Sequence, residues 1–137
     1  MVLAHKFPNP AERIPSILVV ESELLIRLVV VHYLQECGFK VLGVADSEEA
    51  ITALQSELQI DLVFVSVKPP NEPDGFKLSQ WVRANRPEIG LLMISGDAKV
   101  AQAARELCQN EPFFANPYDL HAIVLHIRRL IDSRPSR

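Results

Sequence analysis

Short stretches of the chain are apolar without interruption, and between them apolar residues recur at helical spacing. Ile17–Val20, Leu62–Val65 and Leu91–Ile94 contain no polar side chain, and Leu62–Val65 is rich in β-branched and aromatic residues. Runs of that length and type predict strands buried on both faces, as inside a parallel sheet. Lys40–Val44 and Phe113–Ala115 predict two more. Leu24–Cys37 sets Leu24, Leu25, Leu28, Val31 and Leu34 at helical spacing, with Gly38 placed to end the helix in a left-handed cap. Ser47, followed by Glu48 and Glu49, reads as the N-cap of a second helix that carries Ala50, Ile51, Leu54 and Leu58 inward. After a loop at Pro69–Asp74, Gly75 leads into a third helix with Phe76, Leu78, Trp81 and Val82, ended by Asn85 and Pro87. Ala98–Gln109 is an Ala-rich helix, and Asp119 caps a last one, Leu120–Ile131, with Ile123, Val124, Ile127, Leu130 and Ile131 as its stripe.

Five strands alternating with five helices through short loops predict an α/β fold. Its core is a doubly wound five-stranded parallel sheet, (βα)5 and flavodoxin-like, with right-handed crossovers and strand order 2-1-3-4-5. That order puts the first and third strands side by side at the switch point, where open α/β sheets bind ligands beyond the strands' carboxyl ends. The third strand ends at Ser66, because Lys68, Pro69 and Pro70 follow and proline lacks the N–H of a ladder. Chemistry is therefore expected to converge near Ser66, where a hydroxyl stands and no carboxylate.

Composition narrows the class of protein. A chain of 137 residues is one domain by size, divided here into a lead-in over 1–15, a domain over 16–133 and a tail over 134–137. The net charge of −3 argues against an electrostatic nucleic-acid binder, since Arg128, Arg129, Arg134 and Arg137 cluster only near the C-terminus. Cys37 and Cys108 lack CxxC spacing and read as reduced thiols. The first residues hold no apolar core of signal-peptide length and Arg27 interrupts the longest later apolar run, so a cytoplasmic protein without a membrane partner is expected.

Five motifs carry a resemblance: ILVVESE at Ile17–Glu23, DLVFVSVKPP at Asp61–Pro70, the pair Asp74-Gly75, LLMISG at Leu91–Gly96 and FFANP at Phe113–Pro117. In order and separation they resemble the CheY-like receiver domain of bacterial two-component response regulators, over about 17–131. In that family an acidic pair after strand one binds Mg²⁺, an aspartate ending strand three takes a phosphoryl group from a histidine kinase, and a Ser or Thr after strand four senses it. A lysine before proline contacts the phosphoryl oxygens. The resemblance places Glu21 and Ser22 at the acidic pair, Ser66 at the phosphoacceptor, Ser95 and Phe113 at the switch pair, and Asn116 at the lysine. Lys68 matches the residue whose backbone carbonyl binds metal.

Three of those five chemical positions have changed type. Phosphoryl transfer rests on positioning and on neutralising negative charge with metal and cations, and Mg²⁺ is anchored by carboxylates. With Ser22 and Ser66 in place of acids, Glu21 is the main anionic ligand left, helped weakly by the Lys68 carbonyl, and Mg²⁺ binding is expected to be weak or absent; no other cofactor is expected. A serine without an adjacent base is a poor nucleophile, and His5, His32, His121 and His126 lie away from these loops in sequence. The expected function is a single-domain pseudo-receiver in phosphorelay signalling, not an enzyme, working through contact with a histidine kinase or a downstream effector and without aspartyl phosphorylation. In the family the surface here formed by Ala98–Gln109 and Leu120–Ile131 makes partner contacts and homodimers. One alternative keeps phosphorylation, on Ser66 or on a nearby acid such as Asp74; another is a small flavodoxin-like ligand-binding domain or enzyme.

Overall fold

The computed structural model describes residues 14–67, 72–95, 114–115 and 120–132. Its elements run β1 (Ser16–Val20), α1 (Leu24–Glu36), β2 (Lys40–Val44), α2 (Ser47–Gln55), β3 (Leu62–Ser66), α3 (Glu72–Asn85), β4 (Gly90–Ser95), β5 (Phe114–Ala115) and α4 (Leu120–Asp132). All five strands are parallel in the order β2-β1-β3-β4-β5, as the pattern predicts. The predicted helix over 98–109 and the Asp119 cap lie outside the described residues.

The apolar runs of β1, β3 and β4 are continuous because each of these strands is covered on both faces. Alternate residues point to opposite faces, so Leu18, Val20, Val63, Val65, Leu91 and Met93 pack under α2 and α3. Ile17, Val19, Leu62, Phe64, Leu92 and Ile94 meet α1 and α4 through Val30, Leu34, Ile123, Val124 and Ile127 on the other face. Asp61 fixes the register of β1 and β3: its N–H donates to the Ser16 carbonyl and its Oδ2 accepts from the Ser16 N–H, both at 2.8 Å.

The C-terminus of α1 closes as its sequence predicts. Gly38 has φ +99°, its N–H donates to the Gln35 carbonyl, and the Phe39 N–H donates to the Leu34 carbonyl. That pair of bonds satisfies two carbonyls that the helix end leaves open. Arg128 of α4 donates to the Cys37 carbonyl at 2.6 Å and stacks on Phe39 at 4.7 Å, tying α4 to the same corner.

Four expectations are corrected. In α1, Leu24, Leu25 and Leu28 are 56, 76 and 54% exposed, and Val29 with them at 60%; the buried face is Val30 and Leu34, with Ile26, Val31 and Tyr33 partly buried beside it. The N-cap of α2 is Asp46, whose carboxylate accepts from the Glu49 N–H, while Glu49 reaches back to the Ala45 N–H at 2.7 Å. Leu58 is exposed, because α2 ends at Gln55 and the chain leaves helical geometry at Ser56. Finally, α3 begins at Glu72, three residues before Gly75, with Pro73 in its first turn, where a missing N–H costs nothing.

Candidate functional site at the switch point

The carboxyl ends of β1 and β3 open into a cavity of about 280 Å³. Val20 and Val65, the last apolar residues of their strands, give it an apolar floor, and Ser22 and Ser66 line its walls. Among the described residues, Ala45, Asp46, Asp74 and Gly75 add to the lining from the starts of α2 and α3. Two residues singled out by sequence, Ser22 and Ser66, therefore meet in one space.

Ser66 is half-buried. The β3–β4 pairing runs past it, since the Val67 N–H donates to the Ile94 carbonyl at 2.7 Å. It ends a strand whose other four residues, Leu62–Val65, are buried.

Glu21 takes a different position. It is 1% exposed, its N–H continues the β1–β2 ladder to the Val44 carbonyl, and its Oε2 accepts from the Glu23 N–H at 2.8 Å. Its carbonyl accepts from Arg27 Nη1 at 2.8 Å. The carboxylate thus closes the turn from β1 into α1, and it is not among the cavity's lining residues.

The carboxylates that do line the cavity are committed to helix starts. Asp46 caps α2. Asp74 accepts from both the N–H and the hydroxyl of Ser47, at 2.9 and 2.5 Å, joining the first turn of α3 to that of α2. Two anions at one helix N-terminus are favoured by its dipole. Asp46 was missed by sequence reasoning because Asp46 and Ser47 are both capping types in tandem; the tertiary bond from Ser47 to Asp74 decides which of them caps.

Ser95 ends β4, and its side chain, like Lys68, Phe113 and Asn116, lies outside the described residues. No group of three or more His, Cys, Asp or Glu side chains arranged to hold a metal occurs among the described residues, and none of the described lining residues is a histidine that could serve Ser66 as a base. His126 sits on α4, 8% exposed. Burial, with the nearby Arg129 charge second, pushes its pKa down.

Comparison with known proteins agrees with this arrangement. A profile of the response regulator receiver domain matches residues 17–125. The regulatory protein VirG of Rhizobium rhizogenes is 31% identical over 88% of this chain and 49% of its own length. The transcriptional regulatory protein AruR of Pseudomonas aeruginosa is 28% identical over 86% of this chain and 50% of its own. The chain thus spans about half the length of these relatives. Among solved structures, a response regulator receiver protein from Sinorhizobium medicae superposes with TM-score 0.78 at 24% identity, covering 90% of this chain and 98% of that one. The receiver domain of an HD-domain protein from Pseudomonas fluorescens gives 0.76 at 22%, covering 88% of each. Sheet order, the site at the switch point and the profile match together establish that the chain belongs to the response regulator receiver domain family of two-component signalling.

Proposed function

We propose that this receiver signals by protein contact and does not run an aspartyl-phosphate cycle. The observation that carries the reading is Ser66 at the end of β3 and in the lining of the cavity, in the position that the resemblance assigns to the family's acceptor carboxylate. An acyl phosphate needs a carboxyl oxygen as nucleophile, and a hydroxyl without a base does not replace it.

The donor set around the cavity argues the same way for the metal. Mg²⁺ asks for near-octahedral oxygen ligation anchored by carboxylate. Ser22 and Ser66 offer neutral oxygens, Glu21 spends one oxygen on the Glu23 N–H, and Asp46 and Asp74 are engaged by the start of α2. These residues do not fit the family's metal site. The chain's role is then that of a scaffold whose state is set by a kinase, effector or other signalling partner, not by its own chemistry.

Titration with Mg²⁺, followed at the amides of Glu21, Ser22 and Ser66 by NMR, tests the metal half of this reading. The expected result is no saturable shift at millimolar Mg²⁺. A saturable shift centred on these three residues would show a working metal site and overturn it.

A further inference from the structure

Strand β2 is an edge of the sheet, and the alternation of its backbone decides which groups look outward. The Lys40 N–H donates to the Pro15 carbonyl, and the Val44 carbonyl accepts from the Glu21 N–H. Lys40, Leu42 and Val44 therefore turn their peptide groups toward β1, and the residues between them turn theirs the other way. The N–H and C=O of Val41 and Gly43 point out from the sheet, and among the described residues no strand pairs with them.

The strand carries little that would keep another strand away. Proteins blunt such edges with proline, bulges and charge. Strand β2, KVLGV, has no proline and stays in register with β1 over all five residues, and its one charge, Lys40, stands at its start. In its middle Leu42 is 38% exposed.

This pattern is complementary to itself. Laid antiparallel on its own copy about Leu42, β2 sets Val41 opposite Gly43 and Gly43 opposite Val41. Opposed residues whose peptide groups face each other exchange two hydrogen bonds, so the two pairs use every outward group of both strands. The two-fold axis then stands normal to the sheet at Leu42. The two leucines meet there as a non-hydrogen-bonded pair, with Cβ atoms about 4.5–5.5 Å apart.

Charge and apolar surface fit the same arrangement. Lys40 falls opposite Val44 of the second copy, beside the start of that copy's α2, whose first turn carries Glu48 and Glu49 behind the Asp46 cap. On the other face of the sheet, Val31 and Arg27 of α1 lie over Gly43. Leu24 and Leu28, more than half exposed, occupy the flank of α1 beside those two residues and away from buried Val30 and Leu34. The axis at Leu42 brings this flank toward its counterpart.

We propose that two copies of this chain join through β2, antiparallel about Leu42, into one continuous sheet with their α1 helices on the same face. A strand and a helix flank fall below the roughly 800 Å² per partner of a standard interface, so the dimer is weak and depends on concentration. This goes beyond the reading of the switch-point cavity, and it uses a different surface from the helical one that the resemblance implies.

Cross-linking and mass measurement in the full chain test it. With Cys37→Ser and Cys108→Ser as background, Leu42→Cys puts one thiol of each copy on the axis, within disulfide reach. Lys40→Cys leaves the two thiols about 13 Å apart along the strands, too far to bridge. The expected result is a disulfide dimer from Leu42→Cys under mild oxidation, formed about tenfold faster than from Lys40→Cys. Without substitutions, the mass by light scattering should rise toward two chains between about 10 µM and 1 mM. Leu42→Lys, which sets like charges against each other on the axis, should abolish that rise. A single-chain mass throughout the range would overturn the proposal and leave the edge without a second copy. So would equal cross-linking rates, or association that survives Leu42→Lys and so belongs to another face.

Discussion

On the proposed reading, one side chain redirects the site: Ser66 ends β3 and lines the cavity, and it has neither the charge nor the second oxygen of the carboxylate expected there. Glu21 makes the complementary point, since the acid that the resemblance assigns to the metal site accepts from the Glu23 N–H. Another residue-scale consequence follows from His126. Its pKa is lowered by burial and then by Arg129, so near and below the ordinary value of about 6.5 the unfolded chain binds more protons than the folded one. Stability contributed by neutral His126 is present above that pH and is lost as pH falls through it. We expect the melting temperature to drop between about pH 7.5 and 5.5 in the wild type, and to drop less in His126→Gln. Equal slopes in the two proteins would contradict this.

Among the elements, those whose residues can occupy only one environment were the ones legible in the sequence. Strands β1, β3 and β4 are apolar on both faces because helices cover both, so their place follows from the runs themselves. Helix α1 was legible as a helix but not in orientation. Leu24–Val31 is apolar at every position but Arg27, so no period of 3.6 selects a face. Packing against β2 selects it instead, through Val31 and Arg27 close over Gly43. The start of α3 shows a similar tertiary decision. A Cβ on Gly75 would lie 2.8 Å from Cγ2 of buried Val67, so something in this contact must shift to admit it. Gly75→Ala should therefore cost about 1–3 kcal/mol by overpacking, although alanine is the better helix former. Urea unfolding at unchanged m-value measures it, and a variant as stable as the wild type would show that the α3–β3 contact yields.

For the molecule as a whole, five parallel strands in the order β2-β1-β3-β4-β5 deliver the ends of β1 and β3 to one cavity, and the family assignment follows from fold and profile together. The sequence made the fold and the Ser22–Ser66 meeting legible because the switch-point rule depends only on strand order. The engagement of Asp46 and Asp74 was not legible, since it depends on a bond between residues 27 apart in the chain. The account's central claim is that no aspartyl-type phosphoryl group forms at this site. Intact mass after incubation with acetyl phosphate and Mg²⁺, followed by hydroxylamine, tests it most directly, with Ser66→Asp beside the wild type. The account predicts no adduct on the wild type, and none on Ser66→Asp, because restoring one carboxylate leaves Ser22 and the metal donors unchanged. A hydroxylamine-sensitive phosphoryl adduct on the wild type would contradict it.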